Sequence, residues 1–394
     1  MTQLLAFAVF ALAHFLSNFV RSANAVIAGD LSRDVGIGPA ELGLMTSLYF
    51  LAFAAAQLPL GSALDRWGAQ RVTPVLMIAA VAGSVAFALG RDLATLALGR
   101  TLLGLGTAGI LMGGLKALSG WFRPTRFAAV SGALVAIGST GALVASTPLA
   151  YLAQAYGWRS VFLVGAVALA LAAAAVAAWG RAAPGTHLGG HAQHGGFADV
   201  FRSASFWRMA VLAMATTGVT FAFQSLWAGP YLAEGAGLPQ VATGNVLLAF
   251  GLGISSGYLL LGTVGERFGV ARSLALTASI FVAVQAFLAT TPEPGGGLLT
   301  ATFAVLGLAG ASSALLFALV RAAFPLALTG RAVTAVNLFM FVGGFALQWG
   351  LGAWLEAGMG GYGSTFALTA ALGAAATALF LPEAMRMRVA APQA

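Results

Sequence analysis

Four polar residues recur in the first apolar run of the chain, AHFLSNFVRSANAVIAGDL: His14, Asn18, Arg21 and Asn24, at spacings of 4, 3 and 3. On a helix these spacings bring the side chains to one face. A guanidinium flanked by amides can bind an anion, bidentately if that anion is a carboxylate. An imidazole beside it can take up or release a proton near neutral pH. A charge at bilayer depth costs about 2.5–3.5 kcal/mol on insertion scales, so Arg21 is expected to face the interior of a bundle. The competing reading has Arg21 snorkelling outward to pair with Asp30, Asp34 or a helix end.

The second candidate cation is Lys116, in GGLKALSGWF, the one lysine of the chain. It points into a bundle interior or snorkels to the surface, and the sequence leaves both open. The acids are distributed differently. Asp30, Asp34, Glu41, Asp92, Glu234, Glu293 and Glu356 fall at one set of apolar-run ends, and Asp65, Asp199, Glu266 and Glu383 at the other. With no carboxylate at mid-run, a buried cation lacks a fixed counter-ion, which is costly. A substrate that brings the negative charge is the simplest complement. The C-terminal half offers hydrogen bonders instead: Thr217, Thr220, Gln224 and Trp227 share one helical face, and Asn337 lies on a later run. Such groups line small-molecule cavities, or hydrogen-bond one helix to another. His187, His191 and His194 fall in a Gly- and Ala-rich stretch that reads as a solvated linker and not as a metal frame. There is no cysteine, so thiolate, disulfide and cysteine–metal chemistry are out. No phosphate loop or hydrolytic triad appears, and no cofactor is called for.

The elements that must position these residues are membrane helices. Hydrophobic residues make up 60% of the 394 and charged residues 8%, against roughly 25% charged in a soluble domain. Apolar runs long enough to cross a bilayer can be marked at 4–29, 40–63, 72–90, 93–119, 126–154, 158–180, 207–233, 240–263, 272–290, 298–322, 331–356 and 361–382. They lack period-2 alternation, which favours helices over barrel strands. The fold class expected is therefore an all-α integral membrane protein of twelve spans, the first being a span and not a cleaved signal. Thirteen of the 19 basic residues fall on the side shared by both termini, which places the termini in the cytoplasm and the protein in a cytoplasmic (inner) membrane. The net charge of +8 is thus loop topology and gives no reason to expect nucleic acid as a partner.

A phrase is written twice. GSALDRWGAQR begins at position 61 and GTVGERFGVAR at 262, so that Gly61, Asp65, Arg66, Gly68 and Arg71 match Gly262, Glu266, Arg267, Gly269 and Arg272 at a constant offset of 201. With the polar stretch 181–206 between them, the chain reads as a duplication: a six-span bundle at 1–180, a cytoplasmic loop at 181–206 and a second bundle at 207–394. The first copy resembles the loop 2–3 signature of the major facilitator superfamily: Gly, then Asp-Arg, then Gly, then a basic residue. Arg100, Gly104 and Gly106 in RTLLGLG resemble the family's second motif, and YGWRSVF (156–162) its start of span 6. Span 5, GALVAIGSTGALVASTP, loosely resembles the family's antiporter motif without its Gly-Pro pair, and close helix packing is the better explanation of its glycines.

The resemblance implies two six-helix bundles around a central cavity, worked by alternating access. It also implies that Asp65 and Arg66 belong to an inter-helix charge network that sets the balance between states. Gly61 and Gly68 would then serve close approach and a tight turn, and Arg100 would be structural. The expected function is secondary transport of a small solute, an organic or inorganic anion foremost. The candidate substrate residues are Arg21, His14, Asn18, Asn24, Lys116, Thr220, Gln224, Trp227 and Asn337. The gating set is Gly61, Asp65, Arg66, Gly68, Arg71, Arg100, Glu266 and Arg267. Partners are that solute, the bilayer and, if transport is proton-coupled, protons, with the chain acting as a monomer. The rivals are a proton-coupled drug or metabolite efflux antiporter and a receptor on the same fold. A membrane enzyme would need paired carboxylates or His–metal sets within spans, and the sequence has none.

Overall fold

The computed structural model of the protein describes residues 2–122, 124–181, 197–291 and 295–389. In hydrocarbon a backbone must satisfy its own polar groups, so each apolar run closes its hydrogen bonds as a helix. Among the described residues eleven helices are long and apolar enough to cross a membrane, and a bent pair, Ala129–Val144 with Thr147–Tyr156 at 43°, makes a twelfth. Span 1 is Thr2–Ser22, and after a turn at Ala23 a separate helix, Asn24–Val35, leads on to span 2. Spans 2 and 3 are Pro39–Trp67 and Ala69–Leu89. Span 4 is Leu93–Thr107 followed by Ile110–Ser119, span 5 is the bent helix, and span 6 is Trp158–Trp179.

The second series has the same order. Span 7 is Ala204–Gly235, span 8 Gln240–Phe268 and span 9 Val270–Thr290. Span 10 is Gly296–Gly310 followed by Ser313–Ala323, span 11 Leu326–Glu356 and span 12 Tyr362–Val389. The helices form two compact units, Met1–His191 and Ala192–Ala394. Inside the first, span 1 packs on span 5, span 2 on span 4, and span 3 on spans 4 and 6. Inside the second, span 7 packs on span 11, span 8 on span 10, and span 9 on spans 10 and 12. The duplication is therefore one of packing as well as of sequence.

The repeated phrase turns each hairpin in a single residue. Gly68 (φ 77°) joins spans 2 and 3, and Gly269 (φ 88°) joins spans 8 and 9. A side chain at positive φ is strained, so glycine is required there. The close approach expected at Gly61 is not found. This glycine is helical and exposed, and among the described residues nothing lies within 4 Å of where its Cβ would be.

Candidate functional site

The polar face of span 1 forms as its spacing predicts, but with three members. Asn18 is the middle one. Its Nδ2 donates to the His14 carbonyl at 3.0 Å and lies 3.4 Å from both imidazole nitrogens. Its Oδ1 accepts from Arg21 Nη2 at 2.8 Å. His14 and Arg21 are half-buried and Asn18 is buried. Asn24 leaves the group: its Nδ2 donates to Thr46 Oγ1 on span 2 at 3.0 Å, in a buried contact. The helical phase explains this. Ten residues at about 100° each leave Asn24 some 80° from His14, and the turn at Ala23 lies between Arg21 and Asn24.

Beside this strip, the fully buried Arg100 on span 4 donates from Nη1 to the Val20 carbonyl at 2.9 Å, with its guanidinium 5.0 Å from the Tyr49 ring centre. It fastens span 4 to span 1 one residue before Arg21, and the ring face stabilises the buried charge.

Lys116 goes elsewhere. Its Nζ pairs with Asp65 Oδ1 at the signature-loop ends of spans 4 and 2. The second candidate cation is thus drawn to the signature loop, by the acid that the resemblance had placed in an inter-helix network. Arg66 stacks on its neighbour Trp67 at 5.3 Å, as Arg267 does on Phe268 at 5.6 Å. Arg71 is exposed. Glu266, the counterpart of Asp65, has no ion-pair partner among the described residues.

In the second unit the predicted hydrogen bonders separate. Trp227 is fully buried, and its Nε1 donates to the Gln348 carbonyl of span 11 at 2.8 Å. Ser225 Oγ bonds Gln348 Oε1 at 3.0 Å. Thr220 is buried, and its hydroxyl donates to the Thr216 carbonyl at 2.8 Å. These are bonds within and between helices, the alternative reading of such groups. Gln224 and Asn337 are half-buried. The His187, His191 and His194 cluster lies outside the described residues. Among those described, no group of three or more His or acidic side chains is placed to hold a metal.

Two features escaped the sequence reading. Span 7 widens into π-helical turns at Met214–Gly218, Phe223–Trp227 and Tyr231–Gly235. Such turns often mark functional segments, and no residue pattern announced them. At the helix ends opposite the signature loops, Asp34 accepts from Trp158 Nε1 at 2.9 Å and Arg159 Nη1 at 2.5 Å. Arg159 Nη2 also reaches the Gly90 carbonyl at 3.0 Å. The Trp158 bond lowers the Asp34 pKa most, Arg159 adds to it, and partial desolvation opposes both. In the second unit Tyr362 donates to Glu234 Oε2 at 2.7 Å. The signal was present as GWRS at 157–160 and GYGS at 361–364.

The twelve apolar spans among the described residues fall into two six-span units with the same internal packing and the same glycine turns, a duplicated membrane fold. The chain belongs to the Major Facilitator Superfamily, whose sequence profile matches residues 10–347. The chain is 27% identical over 254 residues to the putative transporter AraJ of Escherichia coli, covering 64% of this chain and 63% of that one, less than two thirds of the relative's length. It is 28% identical over 350 residues to the gentisate transporter of Corynebacterium glutamicum, covering 82% and 76%. The crystal structure of a D-xylose–proton symporter superposes with a TM-score of 0.79 at 14% identity, covering 96% of this chain and 97% of that one, a likeness of fold alone. The chain is thus a multi-pass membrane protein of this family.

Proposed function

We propose that the protein carries a small organic or inorganic anion, a carboxylate foremost, by alternating access across a cytoplasmic membrane, with both termini in the cytoplasm. The observation that carries this reading is the hydrogen bond from Arg21 to Asn18, which holds a guanidinium on the polar strip of span 1. A planar fork fixed in orientation suits a carboxylate better than a mobile point charge does. The gentisate transporter among the relatives supports it, since gentisate is an aromatic carboxylate. The efflux reading calls for an aromatic, weakly charged cavity, and the buried Trp227, its indole bonded to Gln348, lends that no support. Asp65, now with Lys116 as its partner, sets the balance between conformations.

The test is direct binding. Purified protein is offered a panel of radiolabelled anions that includes gentisate, sulfate and phosphate, together with neutral sugars and cationic dyes. Saturable binding of an anion by the wild type and its loss in Arg21→Ala is the expected result. Equal binding by the two proteins, or binding of neutral or cationic solutes alone, refutes the anion reading.

A further inference from the structure

The His14 imidazole rests on bare backbone. A Cβ added to Gly138 of span 5 would lie 1.8 Å from His14 Cδ2, 2.5 Å from Cγ and 2.7 Å from Nε2. Three atoms of one rigid ring meet that position together, so the ring cannot yield by bending a flexible tip. It would have to rotate as a whole. Rotation moves it from the Asn18 amide, which lies 3.4 Å from both ring nitrogens. Asn18 is also the residue whose Oδ1 holds Arg21.

The second unit repeats the seat with different contents. Gly343 of span 11 is the counterpart of Gly138 at an offset of 205, and Met214 of span 7 is that of His14 at an offset of 200. A Cβ on Gly343 would meet Met214 Cα at 2.9 Å and its Cβ at 3.0 Å. The Asn18 counterpart is Gly218, whose own Cβ would lie 2.9 Å from the Gly343 backbone. Close contact of the two helices is thus common to both units and needs no polar chemistry. In the first unit the same glycine seats a rigid, polar ring at the head of a hydrogen-bonded strip.

We infer that Gly138 is a positioning residue for the anion site: the bare span-5 backbone seats His14 and, through Asn18, sets where the Arg21 guanidinium points. The inference rests on the anion reading only for what Arg21 then binds. It assigns a use to a span-5 glycine beyond helix packing, and it makes the His14 seat a determinant of affinity.

The experiment uses the full chain in lipid nanodiscs with His187, His191 and His194 replaced by Gln, which leaves His14 as the one histidine. Isotope-labelled histidine and arginine report the His14 ring and the Arg21 guanidinium by NMR, the latter assigned by its loss in Arg21→Lys. Gly138→Ala is expected to move both signals and to weaken gentisate binding by about tenfold or more, the scale of one misplaced charged hydrogen bond. Gly343→Ala is the control for general loosening: it lowers the melting temperature and leaves both signals in place. Should Gly138→Ala fail to fold, the double variant Gly138→Ala/His14→Ala removes the clash and is expected to recover folding with the Arg21 signal still displaced. His14→Met, which copies the second unit's seat, is expected to fold like the wild type and also to displace Arg21. Arg21 signals unchanged in every folded variant that alters Gly138 or His14 overturn the inference. A wild type that binds no carboxylate while Gly138→Ala still moves Arg21 refutes the anion reading and leaves the positioning role standing.

Discussion

The two halves of this protein share a plan and divide the chemistry unequally. Both pair their helices in the same way, and both turn at a positive-φ glycine in the repeated phrase. In the first half span 1 carries His14, Asn18 and Arg21. In the second, span 7 has Met214, Gly218 and Phe221 at the same places and three π-helical turns along its length. The signature-loop acid is paired with a lysine in the first half, whereas Glu266 has no such pair among the described residues. The tie at the opposite helix ends is ionic in the first, Asp34 to Arg159, and a neutral hydroxyl on a carboxylate in the second. Duplication preserved what packing demands. At these three places the charge sits in the first half; the second half keeps an ion pair of its own where span 7 meets span 12, Arg208 donating to the buried Glu383 at 3.1 Å.

The largest expected effect breaks this asymmetry at its centre. Arg21→Ala removes the charged partner, at a cost of about 2–5 kcal/mol in substrate binding, and Arg21→Lys, which loses the fork and keeps the charge, falls between it and the wild type. Substituting the second-half counterpart, Phe221→Ala, is expected to cost far less. Binding isotherms on purified protein check both. Comparable losses from the two substitutions would mean that the chemistry is not confined to span 1.

The next effect is on rate. Asp65→Asn leaves Lys116 without its acid and is expected to slow uptake several-fold, while Glu266→Gln, with no pair to break, leaves it near the wild-type rate. Exchanging the two residues, Asp65→Lys with Lys116→Asp, is expected to restore part of the loss. Initial uptake rates at matched protein levels decide, and an equal response to Asp65→Asn and Glu266→Gln would deny the first-half pair any special role in gating.

Trp227→Phe probes the second half. It removes one hydrogen bond to the Gln348 carbonyl, so a destabilisation of about 1 kcal/mol is expected, with substrate affinity close to that of the wild type. A fall in affinity without a fall in melting temperature would return Trp227 to the substrate-contacting set.

The smallest effect belongs to the opposite-side ties. The folded pKa of Asp34 is lowered, so its contribution to stability is present above the unfolded value near 3.9 and is lost as pH falls through the folded one. Asp34→Asn should therefore lower stability at neutral pH, by about 1 kcal/mol or less for so exposed a pair, and the difference from the wild type should shrink in acid. Melting curves over a pH series test this. Tyr362→Phe, which breaks the neutral tie, should give a smaller loss, and a larger one would invert the comparison.

The spans, their number and the duplication were legible in the sequence. The physical reason is local: a helix in lipid closes its own hydrogen bonds, so an apolar run of sufficient length is enough to specify it. The clustering of His14, Asn18 and Arg21 was legible on the same ground, since one helix's pitch fixes which side chains share a face. Tertiary structure decided everything that depends on a partner distant in sequence. Lys116 finds Asp65 across 51 residues, Trp227 finds Gln348 across 121, and Arg159 finds Asp34 across 125. Asn24 turns to Thr46 on span 2, and His14 comes to rest on Gly138 of span 5. Composition gives each of these groups the need for a partner. Which partner answers it is set by which helices pack together, and no single helix carries that information.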